Sequence, residues 1–201
     1  MARFVLKDPF YKKAKEEGFR ARSAYKLKDI DAKYHIIKKG DVVIDLGCSP
    51  GSFLQVLSDM VGEKGYVIGI DILPTPALSR KNAKTVKADI REFDVVKLLA
   101  ELGLTQADAV TCDIAPNLSG IREVDDARIE ELFLSVLNVV TDALKPGGNF
   151  IIKSFSTTVQ KDITAALQKR FRKVAQYKPP ASRAVSSEIF FVCVGKKWEK
   201  P

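Results

Sequence analysis

The stretch Asp45-Leu46-Gly47-Cys48-Ser49-Pro50-Gly51-Ser52-Phe53 joins an apolar run to an apparent helix. Its glycines permit a sharp turn at Gly47 and a close backbone approach to a ligand at Gly51. The spacing is not the dinucleotide fingerprint, because Cys48-Ser49-Pro50 separates the glycines, and it is not a Walker loop, because no Gly-Lys-Ser/Thr follows. Acids recur after later apolar runs: Asp71 after YVIGI, Asp89 after TVKA and Asp113 after DAVTC. With Asp45 they make four carboxylates expected at the ends of four strands. Open α/β sheets bind ligands outside the carboxyl ends of their strands. An acceptor-rich edge of this kind suits a cation that also carries hydroxyl and amino donors, and S-adenosylmethionine (SAM), with its sulfonium, ammonium, ribose diol and adenine amine, has that chemistry. A helix-capping role accounts for any one of these aspartates; four in register behind a glycine loop favour the cofactor.

A second chemical signal is Lys153, near the end of the apolar run FIIKSF. An ammonium is costly to desolvate without a partner. A lysine there either reaches back to water along its aliphatic stem or marks the active edge of a sheet.

The elements that must position these groups alternate. Apolar periodicity predicts helices over 9–17 and 23–34, a strand over 41–46, a helix over 51–60, and strands over 66–71 and 85–89. A helix over 94–102, a strand over 108–114 and a long helix over 126–144 follow, the last stopped by Lys145-Pro146-Gly147-Gly148. Then come a strand over 149–155, a helix over 158–170 with Thr157 and Gln160 as a capping box, and strands over 173–179 and 187–195 with no helix between them. Strands alternating with helices predict an α/β fold with a mostly parallel sheet covered on both faces. The near-continuous apolar strands agree with burial from both sides. The last strand pair predicts one antiparallel strand near the C-terminus.

At 201 residues, 46% hydrophobic and 29% charged, the chain suits one globular domain spanning 1–201, without repeats or low-complexity tracts. The first residues, MARFVLKDPFYKK, carry too short an apolar stretch for a signal peptide, and no run approaches a membrane span, so a cytoplasmic location is expected. Cys48, Cys112 and Cys193 are far apart and lie in or beside apolar stretches, which predicts buried reduced thiols. With His35 as the single histidine, no metal site is expected. The formal net charge is +8, concentrated over residues 1–39, which include Lys7, Lys12, Lys13, Lys15, Arg20, Arg22, Lys26 and Lys28. A basic helical segment of this kind points to a polyanion partner; a solvated lysine-rich face accounts for it equally well. For RNA backbone the candidates are Arg20, Arg22, Lys12 and Lys13, with Phe19 and Tyr25 interleaved for stacking.

Taken together, DLGCSPGSF, IGID, KADI, CDIAPN, FIIKSF, SSEIFFV and the N-terminal KEEGFRARSAYKL resemble the FtsJ/RrmJ family of ribose 2′-O-methyltransferases over nearly the whole chain. The resemblance implies a Rossmann-like methyltransferase fold and a Lys-Asp-Lys-Glu tetrad at Lys26, Asp113, Lys153 and Glu188. It places cofactor contacts on Gly51, Phe53, Asp71, Asp89 and Asp113, beside Gly47 of the same loop. Family members often have Gly-Trp where this chain has Ser52-Phe53, which keeps an apolar ring and loses the indole donor.

A ribose 2′-hydroxyl is a weak nucleophile and must lose its proton as it attacks the methyl carbon. The expected base is Lys153 as a neutral amine, its pKa brought down from about 10.4 by burial and a second cation. Lys26 would be that cation, and would also hold a phosphate or the forming alkoxide. Asp113 would orient Lys153 beside the methyl donor, and Glu188 would position the lysines. The same resemblance implies RNA as partner, most closely a uridine of 23S rRNA in the large ribosomal subunit, and a monomer. Two alternatives stay open: 2′-O-methylation of tRNA anticodon-loop nucleotides, and a non-catalytic RNA-binding assembly factor. Asp113-Ile114-Ala115-Pro116 is not the Asn/Asp-Pro-Pro-aromatic motif of amino-methyltransferases, and Cys112 follows Thr111 rather than a proline, against cytosine C5 chemistry. The missing third glycine argues against a dehydrogenase.

Overall fold

The computed structural model describes residues 9–117, 119–155, 158–183 and 186–198. Residues 1–8 of the basic segment, including Lys7, and Thr157 of the expected capping box lie outside them. In chain order the elements are α1 (Pro9–Glu16), α2 (Ser23–Tyr34), β1 (Val42–Leu46), α3 (Ser52–Val61), β2 (Tyr66–Asp71), β3 (Ala83–Lys87) and α4 (Val95–Glu101). Then follow β4 (Ala107–Cys112), α5 (Arg122–Ala143), β5 (Leu144–Phe155), α6 (Gln160–Arg170), β6 (Phe171–Tyr177) and β7 (Glu188–Lys196).

The seven strands form one sheet in the order β3-β2-β1-β4-β5-β7-β6. All neighbours are parallel except β7, which runs antiparallel to both β5 and β6. The chain works outward from β1 to β3, then returns to lay β4 on the other side of β1. That reversal opens a crevice at the strands' carboxyl ends, where α/β folds bind ligands.

Side-chain alternation along each strand feeds two cores. Ile44, Leu46, Ile68 and Ile70 pack with Leu98 and Leu99 of α4, Phe133, Val136 and Val140 of α5, and Leu167 of α6. Their neighbours Val43 and Val67 pack the opposite way, with Leu27 and Ile30 of α2 and Leu54 and Leu57 of α3. Among the described residues no helix is long and apolar enough to cross a membrane.

Element ends follow local chemistry. His35 closes α2 in the left-handed conformation (φ 51°), and Asp31 Oδ1 accepts from the amides of Ile36 and Ile37, both at 2.9 Å, to turn the chain toward β1. The single histidine is therefore a helix terminator. Asp94 caps α4 by accepting from the Lys97 amide. Helix α5 ends at Ala143 because Lys196 reaches in from β7: its buried ammonium donates to the carbonyls of Val140 (3.0 Å), Thr141 (2.6 Å) and Leu144 (2.8 Å). A cation at a helix C-terminus satisfies otherwise orphaned carbonyls and complements the helix dipole. The expected turn at Lys145–Gly148 instead opens β5: Leu144 pairs with Ala107 and Asn149 with Ala109, so the residues between bulge out of the ladder. Strand β3 sits two residues earlier than expected, because its register with β2 runs from Val67↔Ala83 to Asp71↔Lys87, leaving Asp89 in the loop beyond.

Asp45 corrects the expectation of four strand-end carboxylates. It lies inside β1, opposite Thr111 of β4, and is fully buried. Its Oδ1 accepts from Thr111 Oγ1 at 2.6 Å, and its Oδ2 is buried with no protein partner. Burial pushes the carboxyl from 3.8 up to about 8, opposed by the Thr111 hydrogen bond and reinforced by the charges of Asp113 and Asp71. The neutral acid is thus the folded form at pH 7, and folding takes up a proton between pH 4 and 8. The stability this group contributes is complete below the unfolded pKa and is lost as pH rises toward the folded one. Asp45→Asn, neutral at every pH, should gain on the wild type across that window by up to about 1.4 kcal/mol per pH unit. Urea unfolding of both proteins at pH 5 and 8 measures this, and a difference independent of pH would contradict it.

Candidate active site

The crevice holds a cavity of about 600 Å³ walled by the loops after β1, β2, β3 and β4 and by one face of α5. Of the acids predicted to reach it, Asp71, Asp89 and Asp113 line it and Asp45 does not. Asp71 is already organised by main chain: Oδ2 accepts from the Ser49 amide and Oδ1 from the Leu73 amide, each at 2.8 Å. Further lone pairs on both oxygens remain for a diol. Asp89 is gripped by Arg91, with Nη2 2.5 Å from Oδ2 and Nε 3.0 Å from Oδ1. Those bonds, side chain first and then the Arg91 amide, hold its carboxyl down at about 2. The arginines in the wall are both engaged, Arg91 with Asp89 and Arg128 with the Asn117 carbonyl at 2.5 Å.

The glycine loop behaves differently from its sequence reading. Gly47 (φ +76°) lines the cavity, and a Cβ there would fall 2.4 Å from the Ile114 side chain. Glycine lets the loops after β1 and β4 close on each other. Gly51 (φ +104°) lies off the cavity wall, and the group that approaches it is the Arg20 guanidinium, 2.4 Å from where a Cβ would sit. Phe53 is 3% exposed and packs in the core between α3 and α2. Its side chain faces away from the cavity because the first turn of α3 presents that position to α2.

The tetrad residues come together as two lysine–carboxylate pairs. Lys153 Nζ, on β5, donates to the Asp113 carbonyl at 2.8 Å and lies 3.1 Å from Asp113 Oδ1, with side chains 9% and 17% exposed. Lys26 Nζ, on α2, is 2.7 Å from each carboxylate oxygen of Glu188, with side chains 8% and 11% exposed. The ladder of β5 and β7 brings the pairs near each other: Phe155 faces Glu188, Lys153 faces Phe190, and Lys26 Nζ lies 5.7 Å from the Phe190 ring centroid. Burial works to raise the Glu188 pKa. The Lys26 hydrogen bond and charge, a bond from Ser182 and the field of Lys153 outweigh it, and the carboxyl lies below its ordinary value.

Ser182 had no sequence signal. Its Oγ donates to Glu188 Oε1 at 2.8 Å, a role created only when Ser182, beyond the end of β6, comes against the first residue of β7. The three cysteines are buried free thiols, and burial pushes Cys48 and Cys112 up to about 12, which removes Cys112 as a nucleophile at neutral pH.

The basic segment is less open than its composition indicates. Tyr25 is 6% exposed, with its ring centroid 5.7 Å from that of Phe10 and 5.8 Å from that of Phe19, while Lys28 Nζ covers Phe19 at 4.2 Å. These aromatics form the corner between α1 and α2 and are not a stacking platform. Lys12 and Lys13 stand in solvent, loosely paired with Glu16 and Glu17 at 3.6 and 3.8 Å.

The FtsJ-like methyltransferase model matches residues 19–196. The chain is 44% identical over 191 residues to ribosomal RNA large subunit methyltransferase E of Methanothrix thermoacetophila, covering 95% of this chain and 72% of that one. It is 41% identical over 192 residues to the protein of the same name from Bdellovibrio bacteriovorus, covering 95% and 97%. Among solved structures, one from Plasmodium falciparum described as a ribosomal RNA methyltransferase superposes with a TM-score of 0.79 at 27% identity, over 90% of this chain and all of that one. Aeropyrum pernix fibrillarin, solved with natively bound SAM, gives 0.59 at 17% identity over 86% of this chain and 73% of that one, a likeness of fold alone. A doubly wound sheet, an acid-lined crevice and a match spanning all but the ends of the sequence agree: the chain belongs to the FtsJ-like methyltransferase family.

Proposed function

We propose that the protein methylates a ribose 2′-hydroxyl of large-subunit ribosomal RNA, a uridine of 23S rRNA, using SAM, and that it acts as a cytoplasmic monomer. The observation that carries the chemistry is Lys153: a nearly buried amine held by Asp113, itself a wall residue of the acid-lined cavity, with a second lysine–carboxylate pair close by. The large-subunit substrate is supported by the names of the relatives.

The residues present fit the cofactor. The wall offers Asp71, Asp89 and Asp113 as acceptors, and its arginines are already paired, so it favours a cationic ligand rich in donors. Asp71 would take the ribose diol, Asp89 the adenine amine, and Asp113 the end nearest Lys153. Bound SAM supplies a methyl group made electrophilic by its sulfonium.

The chain's own groups do the rest. Lys153, as the free amine, accepts the proton of the 2′-hydroxyl as the oxygen becomes nucleophilic. Asp113 fixes the amine through its carbonyl and carboxylate oxygens, so that few rotamers must be frozen on reaction. Lys26, anchored by Glu188 and Ser182, places a positive charge beside the developing alkoxide. The exposed lysines of α1 supply salt-dependent contacts to RNA phosphates.

Lys153→Ala should lower kcat by about 10²–10⁴-fold, the usual contribution of a positioned base, while SAM affinity stays within a few-fold. Tritium transfer from labelled SAM and calorimetry measure the two, and near-wild-type turnover would overturn the assignment.

The second pair makes a separate prediction. Lys26→Met strands a buried carboxylate and should cost about 3–5 kcal/mol of stability along with activity. The double variant Lys26→Met/Glu188→Gln should recover most of the stability and none of the rate. Recovery of both would show that the pair serves only the fold.

A further inference from the structure

Arg20 belongs to the basic segment, yet its guanidinium is spent on main chain. Nη1 donates to the Pro50 carbonyl at 3.0 Å and the Pro76 carbonyl at 2.6 Å, and Nη2 donates to the Ala77 carbonyl at 2.9 Å. Pro50 lies in the glycine loop after β1; Pro76 and Ala77 lie in the loop after β2. The residue's own position is fixed as well. Its amide donates to Gln55 Oε1 at 2.8 Å, and Gln55 Nε2 donates back to the Gly18 carbonyl at 2.9 Å.

We propose that Arg20 is a positioning residue that clamps the two loops bounding the cofactor cavity to the segment carrying Lys26. The inference rests on the reading of that cavity as the SAM site. Asp71 joins the same two loops by accepting from their amides at Ser49 and Leu73. An anion therefore gathers amides of both loops on the cavity side, and a cation gathers their carbonyls at Arg20. The planar fork of arginine suits this task, because one rigid group presents donors to several carbonyls at once. Gly51 completes the clamp: with φ +104° it leaves open the space that the guanidinium occupies, and a Cβ would meet Nη1.

The assignment separates Arg20 from residues that hold RNA. A guanidinium with three of its five N–H donors on loop carbonyls is oriented by them, so losing it should loosen the cavity loops and spare RNA binding.

Arg20→Ala and Arg20→Lys test this, with circular dichroism confirming the fold and Lys retaining the charge. In the ligand-free protein, hydrogen exchange of amides within 47–51 and 72–78 should quicken by about tenfold or more, with exchange in the central strands unchanged. The SAM dissociation constant should rise about tenfold, the effect of losing charge-assisted bonds that hold a site in shape. At saturating SAM, kcat should stay within about twofold, and the salt dependence of RNA binding should not change. Arg20→Lys should behave like Arg20→Ala. Unchanged loop exchange would overturn the clamp, whatever the cavity binds. Quickened exchange with unaltered SAM affinity would uphold the clamp and overturn its link to the cofactor. Weakened RNA binding, with the log–log salt slope shallower by about one, would make Arg20 a phosphate ligand instead.

Discussion

Two lysine amino groups, each on a side chain less than a tenth exposed, sit against carboxylates, and much of the architecture serves to bring these four groups together. Breaking such a pair is expensive, while replacing both partners by apolar groups is often neutral or stabilising. The pairs are therefore poorly explained as stabilising devices. They are well explained by chemistry that needs an amine out of water. Supplying the four groups takes α2, the loop after β4, β5 and β7. The antiparallel insertion of β7 between β5 and β6 is what carries Glu188 and Phe190 to the edge where Lys153 ends its run.

The opposite problem is solved at Asp45. Here an acid is buried with one hydroxyl donor and no cation, and it remains protonated instead of pairing. Carboxylates of one sheet thus have different tasks. Asp89 is held ionised by an arginine on the cavity wall, and Asp45 is held neutral inside the barrier between the two cores. Loops, not strands, then give the cavity its shape. Asp71 collects their amides, Gly47 lets two of them touch, and Arg20 collects their carbonyls.

The alternation of apolar runs and amphipathic stretches was enough to read the sheet, its parallel body and the reversed strand near the C-terminus, because two-sided burial and a missing crossover helix leave direct marks on a sequence. Lys153 was legible for the same reason: it follows the apolar run Phe150-Ile151-Ile152 inside an apparent strand. Directions of individual side chains were not. Asp45 differs from a strand-end acid by a single position, and only the register with Thr111 shows which way it points. Phe53 was assigned to a ligand by analogy, whereas the face of α3 on which it falls is set by α2, distant in sequence. Arg20 looked like one basic residue among many, since no local pattern encodes carbonyls 30 and 56 residues away. Ser182 depends likewise on its meeting with Glu188 in the fold.

The central claim is that Lys153 works as a proton acceptor and not merely as a positive charge. Lys153→Cys, alkylated with bromoethylamine, restores an amine at the same reach on a thioether chain, and that sulfur makes the amine a weaker base. The native cysteines are buried and neutral, so the new thiol is the reactive one. The account predicts little turnover before alkylation, recovery after it, and a rising limb of the pH–rate profile displaced to lower pH than in the wild type. Recovered activity with that limb unmoved would contradict it.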